Sequence, residues 1–244
     1  MNKDFLNEVI KANQIIYNSI KGGIKPEWQL EYSEGAGGDI SSGLDLYAES
    51  IFIKHLSKFG KINSEESGIV GEGDNTIIID PLDGSSNAYA NFPYYGSSVA
   101  LIDSSNLMAV AVVCNFANGD IFYKIANEKL LVGNLDTLEF KEEKLYKNAK
   151  VGIFERSYEY TNIGKELTAL ELKYRAPGAV ALSLAYAHRV NYVLFVGPIR
   201  IYDFTAGLSL CEGLKVSISD NYAIVTHSED ILHKIENIIK EDCK

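Results

Sequence analysis

The sequence predicts an α+β protein in which sheets are sandwiched between helices, and three patterns predict it. Residues 4–20 place Phe5, Leu6, Val9, Ile10, Ile15, Ile16 and Ile20 at helical spacing, and Gly22-Gly23 closes that helix. The first half then carries short apolar runs with strand character: Thr76 to Ile79, Ser97 to Ile102, Met108 to Cys114 and Asp120 to Lys124. Asn118-Gly119 is a hairpin turn between the last two. The second half alternates: strand near 150–154, helices 160–172 and 178–189, strand 192–196, helix 204–213, strand 222–226 and helix 229–241. Ser228 is suited to cap the last helix, with Glu229 and Asp230 in its first turn.

The spaces between these elements also speak. Gly35-Ala36-Gly37-Gly38 is a flexible loop leading to Asp39. A helix over 44–58 puts Asp45 and Glu49 on one face, four residues apart. Residues 127–150 are charged and weakly patterned, so a division falls there: an N-terminal α+β lobe, 1–130, and a C-terminal α/β lobe, 131–244.

Composition excludes several function classes. A net charge of −10 and a pI near 4.9 argue against nucleic acid and anionic membrane as partners. Cys114, Cys211 and Cys243 are widely spaced and odd in number, which gives neither a disulfide framework nor zinc-ligand spacing and fits a reducing cytoplasm. The N-terminus lacks a secretory signal, and no apolar run is long enough to span a membrane.

The densest signal is Ile79-Asp80-Pro81-Leu82-Asp83-Gly84-Ser85-Ser86-Asn87. A buried strand ends in a carboxylate, Pro81 fixes the exit of the chain, and a second carboxylate follows before a helix start. Asp80, Asp83 and the Leu82 carbonyl can converge as oxygen donors for a hard cation such as Mg2+. The N–H groups of Gly84 and Ser85 at the helix start suit a phosphate. Read alone, the stretch could equally be a strand-to-helix turn with Asp caps.

Three further segments accompany it: Asp39-Ile40-Ser41-Ser42-Gly43-Leu44-Asp45 with Glu49, Ser64-Glu65-Glu66-Ser67, and Ile201-Tyr202-Asp203-Phe204-Thr205-Ala206-Gly207. In order and spacing the four resemble the inositol monophosphatase family, which includes archaeal-type fructose-1,6-bisphosphatases. That family carries D-x-x-T-x-x-D-x-x-x-E, an acidic pair, D-P-[IL]-D-G-[ST]-x-N and [WY]-D-x-[AT]-[AG]-G. The resemblance implies a layered αβαβα sandwich of the sugar phosphatase fold. It implies a metal site built from Glu65, Asp80, the Leu82 carbonyl, Asp83 and Asp203, with Asp45 at a weaker third metal and Glu66 as a substitute for Glu65. The cofactor would be two or three Mg2+ ions, with Mn2+ as a possible substitute. Carboxylates without His or Cys independently favour these metals over zinc. Glu65, Asp80 and Ser85 would carry the chemistry, Ser85 by orienting water. Asp83, Gly84, Ser85 and Ser86 would face the phosphate.

The substrate half departs from the family. The glycine pair of E-A-G-G is absent from Leu210-Cys211-Glu212-Gly213-Leu214-Lys215, and Asn127 to Val132 replaces G-x-G-A-F. Enzymes acting on inositol place an acid where this chain has Val196, and an apolar group cannot replace hydrogen bonds to a polyol. Arg200 resembles archaeal-type members and could meet a second phosphate. Lys173-Tyr174-Arg175 before Ala176-Pro177-Gly178-Ala179 resembles the family's substrate segment, adding Arg175 and Ala179 as candidates. The expected activity is Mg2+-dependent hydrolysis of a phosphorylated sugar or polyol: fructose 1,6-bisphosphate, inositol 1-phosphate or both. The alternative is a non-catalytic or moonlighting partner-binding protein on the same scaffold. The family also implies a homodimer or homotetramer.

Overall fold

The computed structural model describes residues 1–242, and Cys243 lies outside the described residues. Helix α1 (Asn2–Ile20) buries Phe5, Val9, Ala12, Ile16 and Ile20 on one face. Ile15, expected on that face, is 38% exposed. Helix α2 (Gly43–Leu56) opens in a capping box, with Ser42 Oγ accepting from the Leu44 and Asp45 amides and the Asp45 carboxylate accepting from Ser42 N–H.

Strands β1 (Glu31–Glu34) and β2 (Ile40–Ser42) form a small two-stranded ribbon. The first large sheet contains β3 (Lys61–Ser64), β4 (Gly68–Val70), β5 (Thr76–Asp83), β6 (Gly96–Ile102), β7 (Met108–Asn115), β8 (Asp120–Ile125), β9 (Leu131–Asn134) and β10 (Lys141–Glu142). Their order is β10-β9-β8-β7-β6-β5-β3-β4, antiparallel except between β3 and β5. The second sheet contains β11 (Gly152–Glu155), β12 (Tyr174–Arg175), β13 (Tyr192–Val196), β14 (Lys215–Ile218) and β15 (Tyr222–Thr226), in the order β12-β11-β13-β15-β14. The remaining helices are α3 (Ser85–Tyr89), α4 (Thr161–Ala169), α5 (Val180–Ala185), α6 (Ile201–Ser209) and α7 (Glu229–Asp242).

Side-chain alternation along the strands sorts these elements into five layers. Phe5, Val9, Ile16 and Phe52 of α1 and α2 pack on Ile77, Ile79, Val99, Val110 and Val112 of the first sheet. From that sheet's opposite face, Ala100, Ala111, Val113 and Phe122 meet Ala181, Leu182, Ala206 and Leu210 in and beside α5 and α6. Leu184 and Phe204 of those helices then cover Val193, Phe195, Ala223 and Val225 of the second sheet. The far face, with Leu194, Val196 and Ile224, packs on Ile163 and Leu167 of α4 and Leu232, Ile235 and Ile239 of α7. The result is an αβαβα sandwich.

Several short strands are absent from the sequence-based expectation, namely β1, β2, β3, β4, β9, β10, β12 and β14. They are two to four residues long, and β14 is largely exposed, so they carry little period-two signal. Strands β9 and β10 belong to the first sheet, which therefore runs past the division expected after residue 130. Helix α6 begins at Ile201, three residues earlier than expected, which puts Asp203 in its first turn. Ser228 does cap the last helix, accepting from Ile231 N–H at 3.4 Å.

Phe52 is fully buried where α2 meets the first sheet. Phe52→Ala should cost about 3–5 kcal/mol in urea unfolding. A loss below about 1 kcal/mol would mean that α2 does not pack on the sheet as described.

Candidate active site

The site is assembled at the ends of β3 and β5. Asp80 pairs with Ser98 and Asp83 with Gly96, so three steps on β5 match two on β6. This bulge absorbs one residue, and it brings to one side two carboxylates that a regular strand would point apart. Pro81 fits there because it has no N–H to leave unpaired. Leu82 N–H donates to Asp80 Oδ1 at 2.9 Å, and Asp83 Oδ2 accepts from Leu182 N–H at 2.9 Å across the layer interface. Gly84 holds φ +85°, and a Cβ there would stand 3.0 Å from both Ala179 Cβ and the Tyr94 carbonyl. Asn87 Nδ2 donates to the carbonyls of Tyr94 and Pro177, both at 2.7 Å, tying this loop to residues 177–179.

Glu65 lies beside Asp80 because β3 runs parallel to β5, and Glu65 N–H donates to the Ile79 carbonyl at 3.0 Å. Glu65, Asp80 and Asp203 each place a carboxylate oxygen within 4.8 Å of the others, and all three are buried. Asp83 stands outside that trio, although it is equally buried. Arg200 reaches into the trio from α6's N-terminus. Its Nε donates to Asp203 at 2.8 Å, its Nη1 to Asp39 at 2.6 Å, and Nη1 also lies 3.0 Å from Glu65 Oε1.

Charge crowding shows in the acidities. Burial first, then the charges of Glu65, Asp83 and Asp203, pushes the Asp80 carboxyl well above the ordinary range. Burial first, then Asp203, does the same to Asp83. Burial raises Glu65 to about 7 although Arg200 opposes it, and burial raises Glu66 to about 7 as well. The donor set is all oxygen, buried, negative and convergent, which fits Mg2+ or Mn2+ rather than zinc.

The site opens into a cavity of about 420 Å³. Of the expected substrate-side residues, Asp83, Gly84, Ser85, Ser86, Ala179 and Arg200 line it. Arg175 does not. It lies exposed on β12 and lines a separate cleft with Lys150 and Lys173, because β12 is the edge strand of the second sheet, beyond the β11 strand whose end reaches the cavity. Asp45 commits one carboxylate oxygen to the capping box. Glu66 binds the Ser41 hydroxyl instead of joining the trio. Val196 points into the core with α4 and α7, so the cavity wall near it is Phe195 and Pro198.

Two contributors went unread in the sequence. Glu155 ends β11 fully buried and accepts from Gly178 N–H at 2.9 Å and Ser183 Oγ at 2.5 Å, which positions the 178–179 loop. The signal was available: an acid closing the apolar run Val151 to Phe154, as Asp80 closes Thr76 to Ile79. Arg156 follows it into the cavity wall.

The model of the inositol monophosphatase family matches residues 1–215. The chain belongs to the inositol monophosphatase family. As a member, it is a phosphatase, a hydrolase of phosphate esters. Among the relatives of this member is a fructose-1,6-bisphosphatase/inositol-1-monophosphatase of Methanothermobacter thermautotrophicus, 29% identical over 73% of this chain and 70% of that one. Another is the Nus factor SuhB of Xylella fastidiosa, 28% identical over 86% and 79%. The Thermotoga maritima IMPase structure shares the fold, with a TM-score of 0.78, 22% identity and coverage of 97% and 98%.

Carboxyls raised in the folded state bind protons that the unfolded chain has released, so folding stability is present below about pH 4.5 and is lost as pH rises towards 7. Without divalent metal, the melting temperature should therefore fall by about 5 °C or more between pH 5 and pH 8. Arg200→Met should steepen the fall and added Mg2+ should flatten it. A metal-free melting temperature that rises over this interval contradicts the charge arrangement.

Proposed function

We propose that this chain is a Mg2+-dependent phosphatase acting on a phosphorylated sugar or polyol, with fructose 1,6-bisphosphate and inositol 1-phosphate as the candidate substrates. The observation that carries this reading is the buried trio Glu65, Asp80 and Asp203 within 4.8 Å, next to the Gly84–Ser85 turn. When bound by Glu65, Asp80, the Leu82 carbonyl, Asp83 and Asp203, with Asp45 toward a third ion, Mg2+ or Mn2+ would supply Lewis acidity and acidify water.

The chain's own groups do the rest. The N–H groups of Gly84 and Ser85 hold phosphoryl oxygens, since the first amides of a helix lack intrahelical partners. The Ser85 hydroxyl orients the attacking water, and a Glu65 carboxylate oxygen takes its proton. Glu155 fixes the loop that closes over Gly84. Cys114 and Cys211 are free, buried thiols, which supports a reducing, cytoplasmic setting. No helix among the described residues is long and apolar enough to cross a membrane. A homodimer or homotetramer belongs to the proposal through the family alone.

The Nus factor relative supports a second reading, a partner-binding role on the same scaffold. Crowded, buried acids disfavour it as the only role, because they cost stability that a scaffold has no reason to forgo.

Asp80→Asn and Asp203→Asn should each lower Mg2+-dependent phosphate release from fructose 1,6-bisphosphate or inositol 1-phosphate by about a hundredfold or more. Folded variants retaining near wild-type rates would sink the mechanism.

A further inference from the structure

Arg156 lines the same cavity as Ser85 and Asp203, and three contacts hold its side chain there. Its backbone is left-handed at φ +59°, a costly conformation for an arginine. Its Nε and Nη2 donate to Glu159 at 3.0 and 2.5 Å. Its guanidinium lies 5.9 Å over the Phe195 ring. Its Nη1 lies against Gly197, where an added Cβ would stand 2.1 Å away.

A guanidinium has five N–H donors, and Glu159 takes the Nε/Nη2 edge. Among the described residues Nη1 makes no hydrogen bond, so its donors and the remaining Nη2 proton are free to bind an anion as a fork. The other cation lining the cavity, Arg200, is committed to Asp39, Glu65 and Asp203. Glu155, the nearest buried acid in sequence, is spent on Gly178, Ala179 and Ser183.

Resting on the phosphatase reading above, we infer that Arg156 determines specificity by receiving a second phosphate of the substrate, remote from the one hydrolysed. The substrate class is then a sugar bisphosphate, and Arg156 takes the role that the sequence suggested for Arg200. The scissile phosphate sits at the acids and the Gly84–Ser85 turn, and the sugar spans the cavity past Gly178 and Pro198. The two-point contact with Glu159, with Phe195 beneath, holds the guanidinium beforehand, so little side-chain freedom is lost on binding.

The test compares fructose 1,6-bisphosphate with fructose 1-phosphate, which differ only in the remote phosphate, in wild type, Arg156→Met and Arg156→Lys. The preference for the bisphosphate, as a ratio of kcat/KM values, should fall about tenfold or more in Arg156→Met, through KM. Arg156→Lys, which keeps the charge but loses the fork, should lie between. Equal losses on both substrates, an unchanged ratio, or a wild type without preference overturns the inference and leaves the phosphatase reading standing. A wild type that hydrolyses neither ester in Mg2+ overturns that reading, and the inference with it.

Discussion

Buried negative charge in one cleft is the constraint on which the rest of this molecule depends. Asp80, Asp83, Asp203 and Glu65 are each at most 8% exposed. Carboxylates in such surroundings must bind protons, ion-pair or hold cations, because the unfavourable solvation of isolated charge is too large to persist. The chain uses the second means in Arg200, which touches Glu65 and Asp203 together. Metal is the compensation that also performs chemistry.

The layers serve this crowding. A bulge in β5 directs Asp80 and Asp83, the parallel neighbour β3 delivers Glu65, and the first turn of α6 delivers Asp203. These elements belong to the first sheet and the central helical layer, which pack together through a shared apolar cluster. The cavity beyond the acids is closed by the second sheet through Glu155, Arg156 and Phe195. Under the proposed reading, the second sheet contributes to selection and the first sheet carries most of the acids, so the substrate side can diverge while the acids stay in place.

That division explains what the sequence disclosed. The stretch from Asp80 to Asn87 was legible because its strand, proline, acids and helix start act locally. Asp203 was legible as a residue but not in its helical register, since Ile201 and Tyr202 gave no start signal. The placement of Arg175 was not legible because it depends on a long-range pairing that puts β12 at the edge of the second sheet, outside β11. Arg156 went unseen because its restraints, Phe195 and Gly197, lie some forty residues away in sequence. Asp45 reads locally as both a cap and a ligand, and the capping box is the part written in neighbouring residues.

The central claim is that cations replace protons on these buried acids. Calorimetric titration of the wild-type protein with Mg2+ at pH 6.5, in two buffers of different ionisation enthalpy, tests it most directly. Binding heats that differ between the buffers by an amount corresponding to proton release are the expected result. Identical heats, or no binding, would contradict it.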